Sequence, residues 1–484
     1  MQTTVSPQIR FLIGCPYSGS TLLLRILAEA PECIVASRVV STRNDADNTN
    51  FCIIAKPETV IAYQQSIEND MPRSNSAFSV LPPPINYTAA KPIFLIRDPI
   101  RIFDSWKHHG SANIQSFVDC CESLFSSMNK DIAPPHVIVY EKLVQNPVAE
   151  ISQVCEYWGI EYNASMPAFQ KDFSEFAFSI EQEKSLRHYD PPVGYLDTVS
   201  SGSHVKSDIH AHGTLSSQEV HSIEQRLGRI YLRCWPSEVR GIHARLLRAK
   251  WFAFDLDDTL HEFRCASTAA IDTIFSSILS GLPKETQISI NELKSSYAKV
   301  LAAKTSSAFI DGKTSHEYRE DRIRATLTSL LVKFTPEQMA KWVSLYETSL
   351  MQNLQLKCGV IDLFTALKSL GKKIAIITEG PQDSQERTIA QLGLTPFLDL
   401  LATTNRFGVS KNDGLFERVI ETTGVSGGGE FVMVGDSFER DIVSARDAGM
   451  YCVHYSENEN FSAGGEVLRI NSLKKLEFML DGNH

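Results

Sequence analysis

Residues Trp251–Leu260, Trp-Phe-Ala-Phe-Asp-Leu-Asp-Asp-Thr-Leu, leave few folds open. Four apolar residues run without a break into three carboxylates, a threonine and a leucine. An unbroken apolar run of strand length is buried on both faces, as in the middle of a parallel sheet. Open α/β sheets bind ligands outside the carboxyl ends of their strands, so this run delivers acids to a crevice. Strand side chains alternate in direction, so Asp255 and Asp257 share one face and Asp258 takes the other. Crowded carboxylates repel one another unless a cation neutralises them, and Mg²⁺ takes oxygen ligands of this kind. The plain alternative is an acidic turn after a core strand.

A chain of 484 residues exceeds one ordinary core, so two or three domains are expected. Lys and Arg number 47 against 57 Asp and Glu, a net charge of −10, and neither half has a basic excess. Nucleic acid is therefore not an expected partner. The 10 cysteines lack zinc-type spacing and mostly sit in apolar segments, which suits reduced thiols and a cytoplasmic location. No run reaches membrane-spanning length, and Met1–Pro7 is too polar for a secretory signal.

Three later segments follow Asp255 in order. Ile374–Thr378 reads as a strand ending in a hydroxyl, Lys411 supplies a fixed cation, and Val432–Asp441 is a strand ending in acids. Together the four resemble the motifs of haloacid dehalogenase-like (HAD) phosphohydrolases. The resemblance implies that Asp255 attacks phosphorus and that Asp257 first protonates the leaving oxygen, then activates water. It also implies that Thr378 and Lys411 hold the phosphoryl oxygens. Mg²⁺ then lies between Asp255, Asp436 and the backbone carbonyl of Asp257, with Asp441 in support. Asp257 favours a phosphatase over a dehalogenase, since halide needs no proton; a phosphomutase stays open. Asn412 stands where many relatives carry proline. Between Asp258 and Ile374, four amphipathic runs (Thr268–Leu282, Glu292–Ala303, His316–Lys333, Pro336–Gln352) predict helices, resembling a HAD cap over about 265–355.

The first half carries its own strand–loop–helix. Ile9–Ile13 precedes Gly14-Cys15-Pro16-Tyr17-Ser18-Gly19-Ser20-Thr21 and a helical run, Leu22–Ala30. Loop N–H groups and the helix N-terminus then converge on one spot, which suits a phosphate. The spacing resembles a Walker A loop with Ser20 in place of its lysine, which disfavours ATP hydrolysis. A second strand, Pro92–Ile96, ends in Arg97, with Ser105 eight residues further on. These features resemble sulfotransferases that use 3′-phosphoadenylyl sulfate (PAPS). The resemblance implies that Gly14, Ser18, Gly19, Ser20 and Thr21 hold the 5′-phosphosulfate, and Arg97 and Ser105 the 3′-phosphate. Ile53–Pro57, with Lys56, and His136–Leu143 resemble further strands of that family, Ile151–Ile160 the helix after the latter, and Gln218–Trp235 a closing helix. Tyr17 occupies a position where many members carry a cation; Lys56 is a candidate replacement, and otherwise the domain binds nucleotide without chemistry. His108 and His109 are the nearest candidate bases. His204, His210 and His212 read as part of a solvated loop.

The expected fold is α/β, with two doubly wound parallel-sheet domains. They are a sulfotransferase-like P-loop domain over residues 1–236, a junction at 237–248, and a HAD-like Rossmannoid domain with a helical cap over 249–484. The expected function is sulfuryl transfer from PAPS to a small-molecule acceptor together with Mg²⁺-dependent phosphoester hydrolysis. The alternative is a HAD phosphatase with a non-catalytic nucleotide-binding module. The phosphatase either removes the 3′-phosphate of the product 3′-phosphoadenosine 5′-phosphate (PAP) or shares a metabolite with the first domain. The lack of a second adenine pattern near Asp255 favours the shared metabolite.

Overall fold

The computed structural model describes residues 8–15, 17–30, 33–35, 39–40, 59–65, 91–109, 113–128, 136–168, 187–188, 205, 212–283, 288–304 and 309–482. The chain divides into two units. One comprises Met1–Val239 with Glu457–Gly465, the other Arg240–Ser456 with Glu466–Asn483. The first division, between Val239 and Arg240, falls within the stretch 237–248 expected as a junction, which lies in one helix, Pro236–Arg248. Glu457–Gly465, in contrast, goes with the first unit. The cause is aromatic: Phe461 packs edge-on against Tyr231 and Trp235, at 5.8 and 5.1 Å between ring centres.

In the first unit, the strands are β1 (Gln8–Gly14), β2 (Cys33–Val35), β3 (Val39–Val40), β4 (Thr59–Gln65), β5 (Ile93–Ile96), β6 (His136–Val139) and β7 (Arg187–His188). They form a sheet in the order β6-β5-β1-β4-β3-β7, with β2 also on β4. All pairs are parallel except β3 with β7. Leu12, Ile93, Leu95 and Ile138 are fully buried here, as unbroken apolar strands require. The helix after β1 is Ser20–Ala28, and β5 leads into Pro99–His109. The strand expected over His136–Leu143 stops at Val139, and Tyr140–Gln145 is helical. The closing helix is interrupted by a wider turn, Glu224–Gly228. The strand expected at Ile53–Pro57, with Lys56, lies outside the described residues, as do His204, His210 and the side chains of Thr21 and His109.

In the second unit, β8 (Trp251–Phe254), β9 (Lys373–Thr378), β10 (Leu400–Thr403), β11 (Phe431–Gly435), β12 (Tyr451–Tyr455) and β13 (Leu468–Ile470) make a wholly parallel sheet. Its order is β10-β9-β8-β11-β12-β13, so β8 lies centrally and its carboxyl end opens between β9 and β11. Helices Phe263–Ser280, Ile290–Lys304, Ser315–Ser329 and Pro336–Gln352 are inserted between β8 and β9. They have their own core, in which Ile274, Phe275, Ile323, Leu327 and Val343 are buried. Two of these helices start on capping boxes, Thr314 with Glu317 and Thr335 with Gln338, which satisfy orphan N–H groups at each start.

Candidate active site

β8 ends at Phe254, and the chain then leaves the sheet at Asp255, whose N–H still donates to the Val434 carbonyl at 2.9 Å. Asp258 has a left-handed backbone (φ 61°), and its carboxylate accepts from the Arg264 N–H at 3.0 Å. All three acids line one cavity of about 380 Å³, together with Thr378, Lys411, Asp436 and Asp441. Strand alternation therefore does not carry Asp258 away from the crevice, because the three acids sit on a turn rather than on the strand.

Lys411 is buried between two carboxylates, with Nζ 2.5 Å from Asp255 Oδ1 and 2.6 Å from Asp441 Oδ1. Burial alone would lower the lysine pKa, but the two acids outweigh it and keep the group protonated. Burial also pushes the Asp255 carboxyl well above the usual range, against the pull of Lys411. Asp436 is raised by burial and by Asp441. One oxygen each from Asp255, Asp436 and Asp441 lies within 4.8 Å of the others, an all-oxygen set of three acids against buried Lys411 and exposed Arg264, which is 3.4 Å from Asp436. That donor set and charge deficit fit a hard divalent cation. By side chain, Asp441 and not Asp257 completes the trio. Asp441 reaches it because Phe438–Val443 is a widened helical turn, and because Gly435 leaves room. A Cβ on Gly435 would lie 2.4 Å from the Asp441 Cβ.

The Asp257 carboxylate has different company. Its Oδ1 is 2.9 Å from Nε2 of buried His261, and its Oδ2 accepts from Gln385 Nε2 at 3.4 Å. Thr259 bridges the acids instead. Its hydroxyl accepts from the Asp436 N–H at 3.0 Å and lies 3.3 Å from Asp255 Oδ2. Thr378 ends β9 on the cavity wall and is 1% exposed. The sequence alone assigns no role to Thr259, His261 or Gln385. His261 has a local signal, since it follows Asp257 by four residues; Gln385 has none. The cap adds Tyr318, Arg319, Arg322 and Tyr346 to the cavity, and the core adds Glu379 and Arg440, paired at 2.8 Å.

A family model for haloacid dehalogenase-like hydrolases matches residues 249–449. That segment is a haloacid dehalogenase-like hydrolase domain. The chain is similar to the glyceraldehyde 3-phosphate phosphatase of Methanocaldococcus jannaschii, at 28% identity over 47% of this chain and 95% of the relative. It is also similar to the pyrimidine 5′-nucleotidase PynA of Streptococcus pneumoniae, at 24% identity over 48% of this chain and 96% of the relative. Among solved structures, a HAD phosphatase from Thermococcus onnurineus matches with a TM-score of 0.36 and 23% identity, over 48% of this chain and 98% of that one. The HAD model stops short of the first unit, so the sulfotransferase-like reading rests on the sequence resemblance alone.

The candidate residues of the first unit sit around the turn after β1. Ser18 N–H donates to the Cys15 carbonyl at 3.1 Å, and Tyr17 and Gly19 have left-handed backbones (φ 65° and 93°). A Cβ on Gly19 would lie 2.3 Å from the Tyr140 ring, so that position needs glycine. Arg97 donates to the Tyr17 carbonyl at 2.8 Å and stacks 4.6 Å above the Tyr140 ring. Its Nε and the Ser18 hydroxyl are buried without a hydrogen-bond partner among the described residues. Gly14 and Ser20 lie at the two ends of this turn, Thr21 is the next helical residue, and Ser105 is buried on the helix after β5. His108 is exposed and stacks on His212 at 3.8 Å, which leaves it on the surface. Glu141, to which the sequence alone gives no role, is fully buried. It accepts from the Asp98 N–H at 3.0 Å and the Tyr231 hydroxyl at 2.9 Å, and burial followed by Asp98 pushes its pKa up to about 7.

Proposed function

We propose that the HAD domain hydrolyses small phosphate monoesters, with Asp255 as nucleophile and Asp257 as acid and base. The observation that carries this reading is the different company of the two acids. Asp255 is gripped by a buried ammonium and Thr259, which fix its orientation for attack; Asp257 faces His261 and Gln385, apart from the lysine. An Asp255 oxygen forms a bond to phosphorus while the ester P–O bond breaks, and Asp257 gives its proton to the departing oxygen. Asp257 then takes a proton from water, whose oxygen attacks phosphorus and frees Asp255 and phosphate. Thr378 and Lys411 orient the phosphoryl oxygens. Asp255 and Asp436, the Asp257 carbonyl and Asp441 in support would hold Mg²⁺. Bound there, the ion would offset the negative charge that gathers on the phosphoryl group. The names of the two relatives, a sugar-phosphate phosphatase and a nucleotidase, agree with a small phosphoester. Phosphate release from an ester panel with Mg²⁺, compared between the native chain and Asp255→Asn, tests the reading.

For the first unit, we favour a nucleotide-binding module without sulfuryl transfer. Tyr17 offers no cation, and Arg97 is spent partly on the Tyr17 carbonyl, whereas the unpartnered Arg97 Nε and Ser18 hydroxyl suit a phosphate. PAP binding without transfer of sulfate from PAPS to any acceptor is the expected result.

A further inference from the structure

The arginines of the HAD cavity are not equivalent. Arg264 pairs with Asp258 at 3.1 Å, Arg319 with Glu347 at 3.1 Å, and Arg440 with Glu379 at 2.8 Å. Arg322 also lines the cavity but has no carboxylate partner among the described residues, and its Nε is buried without a hydrogen bond. Its polar neighbour is the neutral Tyr297 hydroxyl, and its guanidinium lies 5.4 Å from the centre of the Phe309 ring. One turn earlier on the same helix, Tyr318 lines the same cavity, and its buried hydroxyl is likewise unpartnered. Residues four apart share a helix face, so these two donors form one patch.

We infer that the leaving group of the substrate carries a second anion, a carboxylate or a further phosphate, received by Arg322 and the Tyr318 hydroxyl. The inference rests on the phosphatase reading and adds the substrate class. A buried donor without a partner is costly, and a partly buried guanidinium without a counter-ion more so. A substrate anion satisfies both groups together. Lys411 and Thr378, on the core, serve the transferring phosphoryl group. Arg322 comes from the inserted helix Ser315–Ser329, so it meets the other end of the ester. The wall is held in place: the Ser315 N–H and hydroxyl donate to Asp383 at 3.0 and 2.7 Å, and Asn405 donates to the Phe309 carbonyl at 3.2 Å. Phe263, Leu301, Phe309, Tyr346, Leu350 and Pro381 are among the apolar residues that line the cavity. At about 380 Å³, the cavity falls at the small end of ligand pockets, which run from about 300 to 1,000 Å³.

The test compares kcat/KM of the full chain with Mg²⁺ for propyl phosphate, its analogue ending in carboxylate, and propanediol bisphosphate. At least one of the two esters with a second anionic group should be preferred over propyl phosphate by about tenfold or more, the scale of one charge-assisted hydrogen bond. Which of the two wins tells carboxylate from phosphate. Arg322→Met should bring the ratio near unity, Arg322→Lys should restore part of it, and Tyr318→Phe should reduce it less. Equal turnover of all three esters by the native chain would overturn the inference while the phosphatase stands. An Arg322→Met variant that loses all esters in proportion would also overturn it, since the arginine then serves the transferring group. Calorimetry with propylphosphonate and its carboxylate- and phosphonate-ended analogues gives a second, activity-free readout. If no ester is hydrolysed the phosphatase reading falls, yet tighter binding of an anion-ended phosphonate, lost in Arg322→Met, would still identify the patch.

Discussion

At the carboxyl end of β8 one buried lysine serves two buried acids with a third nearby, whereas at the carboxyl end of β5 the buried Arg97 and Arg101 stand with Asp98 and Glu141. Because Glu141 is raised to about 7, the second crevice carries less negative charge near neutrality than its acids suggest. The first crevice sets three carboxylates, two of them raised, against buried Lys411 and exposed Arg264, whereas the second sets Arg97 and Arg101 against Asp98, Asp104 and the raised Glu141. The cavities differ as well. The HAD cavity measures about 380 Å³, but the one beside Arg97, lined by Cys15, Leu95 and Cys121, only about 10 Å³, space for at most one water. Parallel strands leading into helices build both places, so the chemistry follows from charge balance and free volume and not from architecture.

The largest expected effect breaks the comparison at its acidic end. Asp255→Asn should lower Mg²⁺-dependent phosphate release by about 10³-fold or more, with circular dichroism unchanged. A variant that keeps most of its activity would remove Asp255 as nucleophile. Next, Lys411→Met leaves Asp255 and Asp441 buried and uncompensated, and should destabilise the second unit by about 3–5 kcal/mol. Added Mg²⁺ should recover more stability in this variant than in the native chain, as read by denaturant titration. No metal response in either chain would mean that the trio binds no cation.

Glu141 sharpens the other end. Its folded pKa, about 7, lies above the ordinary 4.5, so the folded state holds the proton more tightly. Its contribution is therefore full below about pH 4.5 and fades as pH rises through about 7. The Glu141→Gln variant keeps an acceptor for the Asp98 N–H and a donor for the Tyr231 oxygen. It should flatten that pH dependence and stabilise the first unit at pH 8 by up to about 3 kcal/mol. Hydrogen exchange over residues 136–158 reads this locally, and an unchanged pH slope would count against a neutral Glu141. The smallest effect concerns ligand binding: Arg97→Ala should weaken PAP binding by about 1.5–3 kcal/mol in calorimetry. A native chain that binds no PAP would remove the nucleotide module.

The acids after β8 could be read from the sequence because motif and strand are contiguous, and Thr378, Lys411 and Asp436 lie at strand ends or next to turns. Asp441 entered only as support because its place among the acids depends on a widened turn and on the missing side chain of Gly435. Arg322 stayed hidden for another reason. Its helix is charged on several sides, so nothing in the local pattern separates a cavity arginine from a solvated one. Glu141 looked like a strand acid, and its burial comes from Tyr231, far along the chain. The sequence resemblance supplied the turn after β1, but not that its tyrosine carbonyl would engage Arg97.

The placement of Phe461 bears on any attempt to separate the halves. It is wholly buried, as is Tyr231, and Trp235 nearly so. A fragment beginning at Arg240 would carry this phenylalanine away from both aromatic partners, and one ending at Val239 would uncover Tyr231 and Trp235. Each piece would then show the solvent an apolar surface that the intact protein hides, an invitation to self-association. A poorly behaved fragment would thus reflect where the cut was made, and enzymatic silence in an isolated half would say nothing about what that half does in the intact chain.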